Sequence, residues 1–391
     1  MRRSKTIFDQ LDNLCFLSKN LYNATLYSVR KYFFETGKYL NYNEVNKDFT
    51  HSKQVDYVAL PAKVSKMTQM LVDKNFKSFF GCIKSDKVSR GRVKVPNYLP
   101  KDGRQVVTYT KQALSFVKKG YIRLSKTDIY IKNTRDDIQF VRIVPNGDHI
   151  VLEIGYRVSV SDRRDSELIA GIDLGLNNLV TLVSNASEPL IVNGRPLKSI
   201  NQFYNKELAS RKSVLETFGR KNSNSLQRLH LKRNNKVKDY IHKTSREVVN
   251  HLVSNNITTL VVGYNRGWKQ DINLSKKVNQ NFVQVPFLML VEQLRYKCNL
   301  EGISFHLQEE SYTSKCSFFD GEDIKKHISY LGRRVKRGLF KTSSGRLVNA
   351  DINAALNITK KFLTKKEAWN ENLFSDFVEV SSRPLASAIN L

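Results

Sequence analysis

The sequence predicts an architecture of α/β and β type in three parts: a helical segment, a small β-barrel, and an α/β core carrying insertions. Three observations lead there. Apolar residues recur at helical spacing up to about residue 85. Short runs rich in Val, Ile, Tyr and Thr, broken by turn signals, fill residues 89–160. From residue 168 onward, strand-like and helix-like runs alternate in one particular order.

Residues 1–88 read as helices. In "FDQLDNLCFLSKNLYNATLYSVRKYFF", Leu14, Leu17, Leu21 and Ala24 share a face, with Lys19 and polar residues between them. "PAKVSKMTQMLVDKNFKSFFGCIK" is a second amphipathic helix with Pro61 near its start, where a missing N–H costs nothing. Most of the interleaved Tyr and Phe read as core, which leaves the basic face for phosphates; stacking on nucleic acid is the alternative.

Residues 89–160 hold "QVVTYT", "DIYIKN" and "QFVRIVPNGDHIVLEIGYRVSV", with "KKG" and "PNGD" as turns. A small basic β-barrel fits this run. The polar stretch "SDRRDSE", residues 161–167, reads as a linker.

The third part spans residues 168–365. "LIAGIDL", "NLVTLVSN" and "PLIVNG" are three consecutive strands. Residues 200–256 are helical, with twelve Lys or Arg against three Asp or Glu between 206 and 246. "ITTLVVGYN" is a fourth strand, "VPFLMLVEQLRYKCNLEG" a helix, "ISFHLQEES" a fifth strand and "ADINAALNITKKFL" a last helix. Three strands, helix, strand, helix, strand, helix is the order of the RNase H-like fold. The tail, residues 366–391, carries no legible motif.

The 391 residues include 65 Lys and Arg against 36 Asp and Glu, a formal charge of +29. An excess of this size, spread over every region, points to a polyanionic partner, nucleic acid above all. A merely solvated basic surface is the alternative. No run of 18 apolar residues exists to span a bilayer, and "MRRSKTIFDQLDN" has no apolar stretch of signal-peptide type. Cys15, Cys82, Cys298 and Cys316 form no CxxC pair and read as reduced thiols of a cytosolic protein.

In such a basic chain, two carboxylates stand out by position. Asp173 closes the first strand of the core, where Gly171 and Gly175 leave room for backbone and phosphate to approach. Asp351 heads the last helix, with Ala354, Ala355 and Ile358 following on its sheet-facing side. Small residues let that helix lie close to the strands and bring the two carboxylates together. On the RNase H-like fold, phosphodiester cleavage usually draws on such a cluster to hold two Mg2+ ions about 3.5–4 Å apart. Simple structural roles are open to both: capping the "GLNN" turn for Asp173, and capping the helix for Asp351.

In this order and spacing, "GIDLGLNNLVTL", "TTLVVGYN", "YTSKCS" and "NADINAALNI" resemble the transposon-encoded TnpB (OrfB) proteins, RNA-guided DNA nucleases related to type V CRISPR effectors. The likeness covers roughly residues 10–365. It implies a helical recognition lobe over 1–88, a wedge-like barrel over 89–160, and a RuvC-like nuclease domain over 168–365. It also implies a prokaryotic cytosolic setting, Mg2+ (or Mn2+) as cofactor, a guide RNA from the transposon end, and target DNA with a short flanking motif.

Three departures bear on that implication. The fourth strand of a typical member ends in a glutamate that ligates metal; the matching residue here is Gly263. Typical members carry a four-cysteine zinc ribbon before the last aspartate. The corresponding insertion, residues 312–348, offers only Cys316 and His327 as soft ligands, so no structural zinc is expected. Typical members also open with a barrel strand, whereas this chain starts at its first helix, which leaves the wedge short of a strand or truncated. For the missing glutamate, the fifth strand ends in Glu309 and Glu310, and a parallel neighbour lies only about 4.8 Å away. Glu310, nearer the strand's end, is favoured over Glu309 to join Asp173 and Asp351; the alternative makes both of them surface charges beside Lys315 and Lys325.

Arg266, Trp268 and Lys269 after the fourth strand, and Arg333, Arg334, Lys336 and Arg337 in the insertion, are candidates for nucleic-acid contact. His242 reads as a helix-packing residue, with general base as the alternative. Three functions compete: RNA-guided DNA endonuclease, RNA-guided DNA binding without cleavage (repressor-like), and guide-independent transposase.

Overall fold

The computed structural model describes residues 5–85, 93–117, 120–147, 149–163, 165–265, 267, 276–374 and 385–387. The chain divides into two compact units, residues 1–158 and 159–391.

The first unit opens with four helices, α1 (Lys5–Thr36), α2 (Tyr42–His51), α3 (Val55–Val58) and α4 (Ala62–Lys84). On α1 the residues Leu11, Cys15, Tyr22, Leu26 and Val29 are buried, and on α4 Val64, Thr68, Val72 and Phe76, each following the three-to-four-residue repeat of one helix face. Pro61 is the N-cap of α4. Where a barrel was expected, six strands follow: β1 (Val107–Thr110), β2 (Leu114–Val117), β3 (Tyr121–Leu124), β4 (Tyr130–Lys132), β5 (Ile138–Asn146) and β6 (His149–Tyr156). They hydrogen-bond as two antiparallel three-stranded sheets, β1-β5-β6 and β2-β3-β4. Helices and strands share one core, in which Leu26 and Phe76 join Tyr109, Ile122 and Val141. The aromatic side chains of Phe33, Tyr39, Phe76, Phe79 and Phe80 pack on one another, which favours their reading as core.

The second unit is built on a six-stranded mixed sheet. Its strands are β7 (Ile169–Leu174), β8 (Asn178–Ser184), β9 (Leu190–Asn193), β10 (Thr259–Gly263), β11 (Ser304–Gln308) and β15 (Leu385–Ser387), in the spatial order β11-β10-β7-β8-β9-β15. β7, β8 and β9 form an antiparallel meander, and β10 and β11 add in parallel on the far side of β7. The tail, unreadable in the sequence, supplies the sixth strand, parallel to β9. The supposed linker is likewise part of this unit. Ser161 donates its N–H to Leu300, Arg163 reaches Ser304 at 2.9 Å, and Ser166 pairs with Thr258 at 3.1 Å. Its polar side chains satisfy backbone and hydroxyl groups of the unit, so polarity here did not mean a free tether.

Helices cover both faces. α5 (Arg195–Thr217), α6 (Asn224–Ser254), α7 (Lys276–Gln284) and α8 (Phe287–Leu300) follow β9 and β10. Tyr240, Ile241, Leu290 and Leu294 from α6 and α8 pack on Ala170, Ile172, Leu260 and Val262. α9 (Ala350–Lys365) takes the other face, where Ala355, Leu356 and Ile358 pack on Ile169, Val183 and Val261. Strand alternation thus divides β7 cleanly, and Gly171 and Asp173 share the parity of Ile169, the α9 face. The insertion before α9 holds β12 (Arg333–Lys336), β13 (Leu339–Lys341) and β14 (Leu347–Asn349), an antiparallel sheet closed over Phe340 and Val348.

A glycine at 171 is what lets α9 lie so close. A Cβ there would run into the Thr359 hydroxyl and stand 2.8 Å from the Ala355 carbonyl oxygen. Among the described residues no helix is long and apolar enough to cross a membrane.

Gly171→Ala is therefore expected to destabilise the second unit by about 1–3 kcal/mol in urea unfolding, as overpacking does. Adding Thr359→Ala should recover part of the loss. An unchanged transition would contradict the close approach.

Candidate active site

The parallel strands end together. Val262 lies beside Ile172 in the β10–β7 register, so Gly263 follows at the level of Asp173, and Gly263 faces Gln308 across β11. Residues paired in register point to the same face, and so does the residue two further on. Gly263, Asp173 and Gln308 therefore share the α9 face, and Glu310 follows two residues beyond the end of β11. The side chain of Glu310 does turn over Gly263: a Cβ on Gly263 would stand 2.6 Å from Glu310 Oε1 and 3.0 Å from its Cγ, and 2.5 Å from Ile358 Cδ1. The glutamate occupies the volume that a side chain at 263 would need.

Asp351 arrives from α9. The cap of that helix is Asn349, whose Oδ1 accepts from the N–H groups of Asp351 and Ile352. Asp351 is thereby released from the capping role left open above. Its Oδ2 accepts from Asn178 Nδ2 at 2.8 Å, and its Oδ1 pairs with Arg334 Nη2 at 3.0 Å. The turn after Asp173 is likewise closed by backbone, Gly175 N–H to Leu179 and Gly194 N–H to Asn177, without the aspartate side chain.

Electrostatics tie the three carboxylates together. Burial holds the Asp173 carboxyl well above its ordinary range, the charges of Asp351 and Glu310 push it further, and Arg334 opposes them. Burial, with a smaller push from Glu309, raises Glu310 to about 7. Glu310 Oε1 is buried without a hydrogen-bond partner. The Thr181 hydroxyl, on the residue paired with Asp173, is also buried without one. Like charges crowded out of water, with an orphaned acceptor among them, are matched by a cation, and an all-oxygen donor set suits a hard one. The residues present fit a divalent ion in chemistry. No group of three His, Cys, Asp or Glu among the described residues is drawn together tightly enough to ligate one directly.

Glu309 points elsewhere. Its carboxylate takes Lys361 Nζ at 2.7 Å and the Ser311 N–H at 2.8 Å, and these bonds hold its pKa below the ordinary range against burial. The surface partner is thus Lys361, not Lys315 or Lys325; those two sit over Tyr330 and beside Asp323. Of the basic candidates, Arg334 reaches the cluster. Arg333 and Lys336 lie on the same exposed strand, and Arg337 follows it. Arg266, Trp268 and Lys269 lie outside the described residues. His242 is on α6, which packs on the sheet face opposite Asp173; its carbonyl oxygen accepts from the buried Lys297 ammonium.

The insertion is held by hydrogen bonds. The buried Glu322 carboxylate accepts from the Ser317 and Leu331 N–H groups, at 2.7 and 3.1 Å. Asp320 bridges Ser317 and Ser343, and Asn353 and Asn357 of α9 grip the Cys316 carbonyl at 2.9 and 2.8 Å. Cys316 itself donates to Lys325 O. Sequence reasoning missed Asn178, Asn265 and Thr181. The one signal in the sequence was a polar residue within a few positions of Asp173 or Gly263.

Residues 151–269 match the OrfB_IS605 model, described as a probable transposase, and residues 287–358 match the Cas12f1-like TNB domain. The CRISPR-associated endodeoxyribonuclease Cas12f2 of a Micrarchaeota archaeon is 25% identical over 233 residues. These matches make the chain similar to OrfB_IS605 proteins and to Cas12f effectors. The Cas12f2 match takes in 55% of this chain, which spans 41% of the relative's length. A Cas12f1–sgRNA–target DNA complex, solved by cryo-electron microscopy, shares the fold: TM-score 0.57 at 15% identity, over 91% of this chain and 83% of that one.

The raised Glu310 pKa has a signed consequence. Between about 4.5 and 7 the folded carboxyl keeps a proton that the unfolded chain has lost, so its contribution to stability falls as pH rises through that window. Without divalent ions, Glu310→Gln should melt higher than wild type at pH 8, and the difference should vanish near pH 4.5. A lower melting point at pH 8 would contradict the burial.

Proposed function

We propose that this chain is an RNA-guided DNA endonuclease that hydrolyses target DNA with divalent metal, its middle carboxylate moved from the fourth strand to Glu310. The observation that carries the reading is the Glu310 side chain lying over Gly263, one oxygen buried and free, beside Asp173 and Asp351. Asp173, Asp351 and Glu310 would hold Mg2+ or Mn2+. When bound, such ions supply an activated water and steady the attacking and leaving oxygens of the phosphodiester. Asn178 orients Asp351 through its second oxygen. Arg334, half exposed, offers its remaining donors to a scissile phosphate at the same carboxylate.

Guide RNA from the transposon end and target DNA with a short flanking motif are the proposed partners. The OrfB_IS605 match, the net charge of +29 and the fold shared with a Cas12f1–sgRNA–target DNA complex support this. Arg333, Lys336 and Arg337, on an exposed strand that leads to Arg334, are proposed to follow the substrate backbone. No zinc is proposed for the insertion, where the bonds of Glu322, Asp320, Asn353 and Asn357 hold the loops.

A second reading is guided DNA binding without cleavage. Two observations favour it: the described carboxylates are not gathered into a ready metal cluster, and Arg334 already neutralises Asp351.

The purified chain with its co-purified RNA, matching target DNA and Mg2+ separates these readings. Cleavage is expected, and Asp173→Ala, Asp351→Ala and Glu310→Gln should each lower it by about 100-fold or more. Gly263→Glu alone should be impaired by collision with Glu310, whereas Gly263→Glu with Glu310→Gly should regain cutting. Tight target binding with no product would leave guided binding. Absence of a specific RNA would favour a guide-independent transposase.

A further inference from the structure

Strand geometry alone does not place Glu310 over Gly263. β11 ends at Gln308, and from residue 309 the chain is free to turn away. The Glu310 side chain is surrounded by reasons to leave: it is driven from water, and the charges of Glu309 and Asp173 lie close by. Its neighbour Glu309 shows the alternative, a carboxylate swung outward onto Lys361.

What meets Glu310 is Asn265, two residues past the empty position. The Tyr264 N–H donates to the Gln308 carbonyl at 2.9 Å, which keeps the chain after β10 alongside the chain after β11. From there Asn265 reaches Glu310 at both ends. Its Oδ1 accepts from the Glu310 backbone N–H at 3.0 Å, and its Nδ2 donates to Glu310 Oε2 at 3.4 Å. One glutamate oxygen is held and the other, Oε1, is left unpartnered. Because an amide is neutral, it steers the carboxylate without cancelling the charge that a divalent ion requires; a lysine or arginine there would compete with the ion.

We infer that Asn265 is the positioning residue for Glu310, the device by which this chain works with glycine at 263. The inference rests on the reading of Glu310 as a metal ligand. Asn265 touches neither substrate nor ion; it acts through the glutamate alone.

The test is Mn2+ titration of the full chain by calorimetry, with Asn265→Ala, Glu310→Gln and the double variant, together with melting temperatures in the absence of metal. Glu310→Gln is expected to weaken Mn2+ binding about 100-fold and Asn265→Ala about 10-fold. The double variant should bind no more weakly than Glu310→Gln alone, because the two act in series. The Asn265→Ala melting temperature should stay within about 2 °C of wild type, well under the shift of a lost core contact. Unchanged affinity in Asn265→Ala, or additive losses in the double variant, overturns the inference. Wild-type affinity in Glu310→Gln instead overturns the ligand reading beneath it. If Asn265→Ala loses its cooperative melt, Asn265→Asp serves in its place. It keeps the acceptor for the Glu310 N–H and replaces the donor by a repelling oxygen, so affinity should again fall; equal or tighter binding overturns the inference.

Discussion

Mutual repulsion between carboxylates that are shielded from water is the interaction around which the second unit is organised. Burial raises the cost of ionising Asp173 and Glu310 at the mouth of a sheet, and the charges of Asp351 and Glu310 add to it at Asp173. A fold tolerates this only if the surrounding backbone over-determines where the groups stand. Two glycines supply the room. Gly171 admits α9 against β7, which sets the distance from Asp351 to the sheet, and Gly263 yields its space to a side chain from the next strand. Neutral amides then fix the oxygens, Asn178 on Asp351 and Asn265 on Glu310, while the Arg334 guanidinium supplies compensating charge.

The insertion shows the same economy of charge. Where a four-thiolate ribbon is held by zinc, loops 312–331 here are tied by Glu322 and Asp320 to backbone N–H and hydroxyl groups, and by two asparagines of α9. Hydrogen bonds of this kind are directional and individually modest, so several act together. The consequence reaches the carboxylates directly. β12, which carries Arg334, pairs with β13, and β13 pairs with β14, which runs into the cap of α9. Arg334 and Asp351 are thus delivered to each other by one continuous piece of chain.

The basic surface belongs to a different scale. Point charges spread over helices and strands attract a polyanion over a Debye length, without fixing any one contact. The three carboxylates act over a few ångströms, and the net charge of +29 would draw a phosphate backbone towards them despite their local negative field.

Much of this was legible in the sequence. The order of strands and helices, the end-of-strand place of Asp173 and the small residues behind Asp351 follow from periodicities of 2.0 and 3.6, which are local properties of a chain. The sequence offered Glu309 and Glu310 side by side after the fifth strand, and their different partners, Lys361 for Glu309 and Asn265 for Glu310, appear only in the folded chain. Tertiary structure alone decided the rest. That residues 161–166 bind the second unit, that 385–387 become its sixth strand, and that Asn178, Asn265 and Arg334 meet carboxylates up to 173 positions away depends on how distant segments converge. No local pattern encodes such meetings, since a polar residue in a loop has the same sequence signature whether it faces solvent or a buried oxygen.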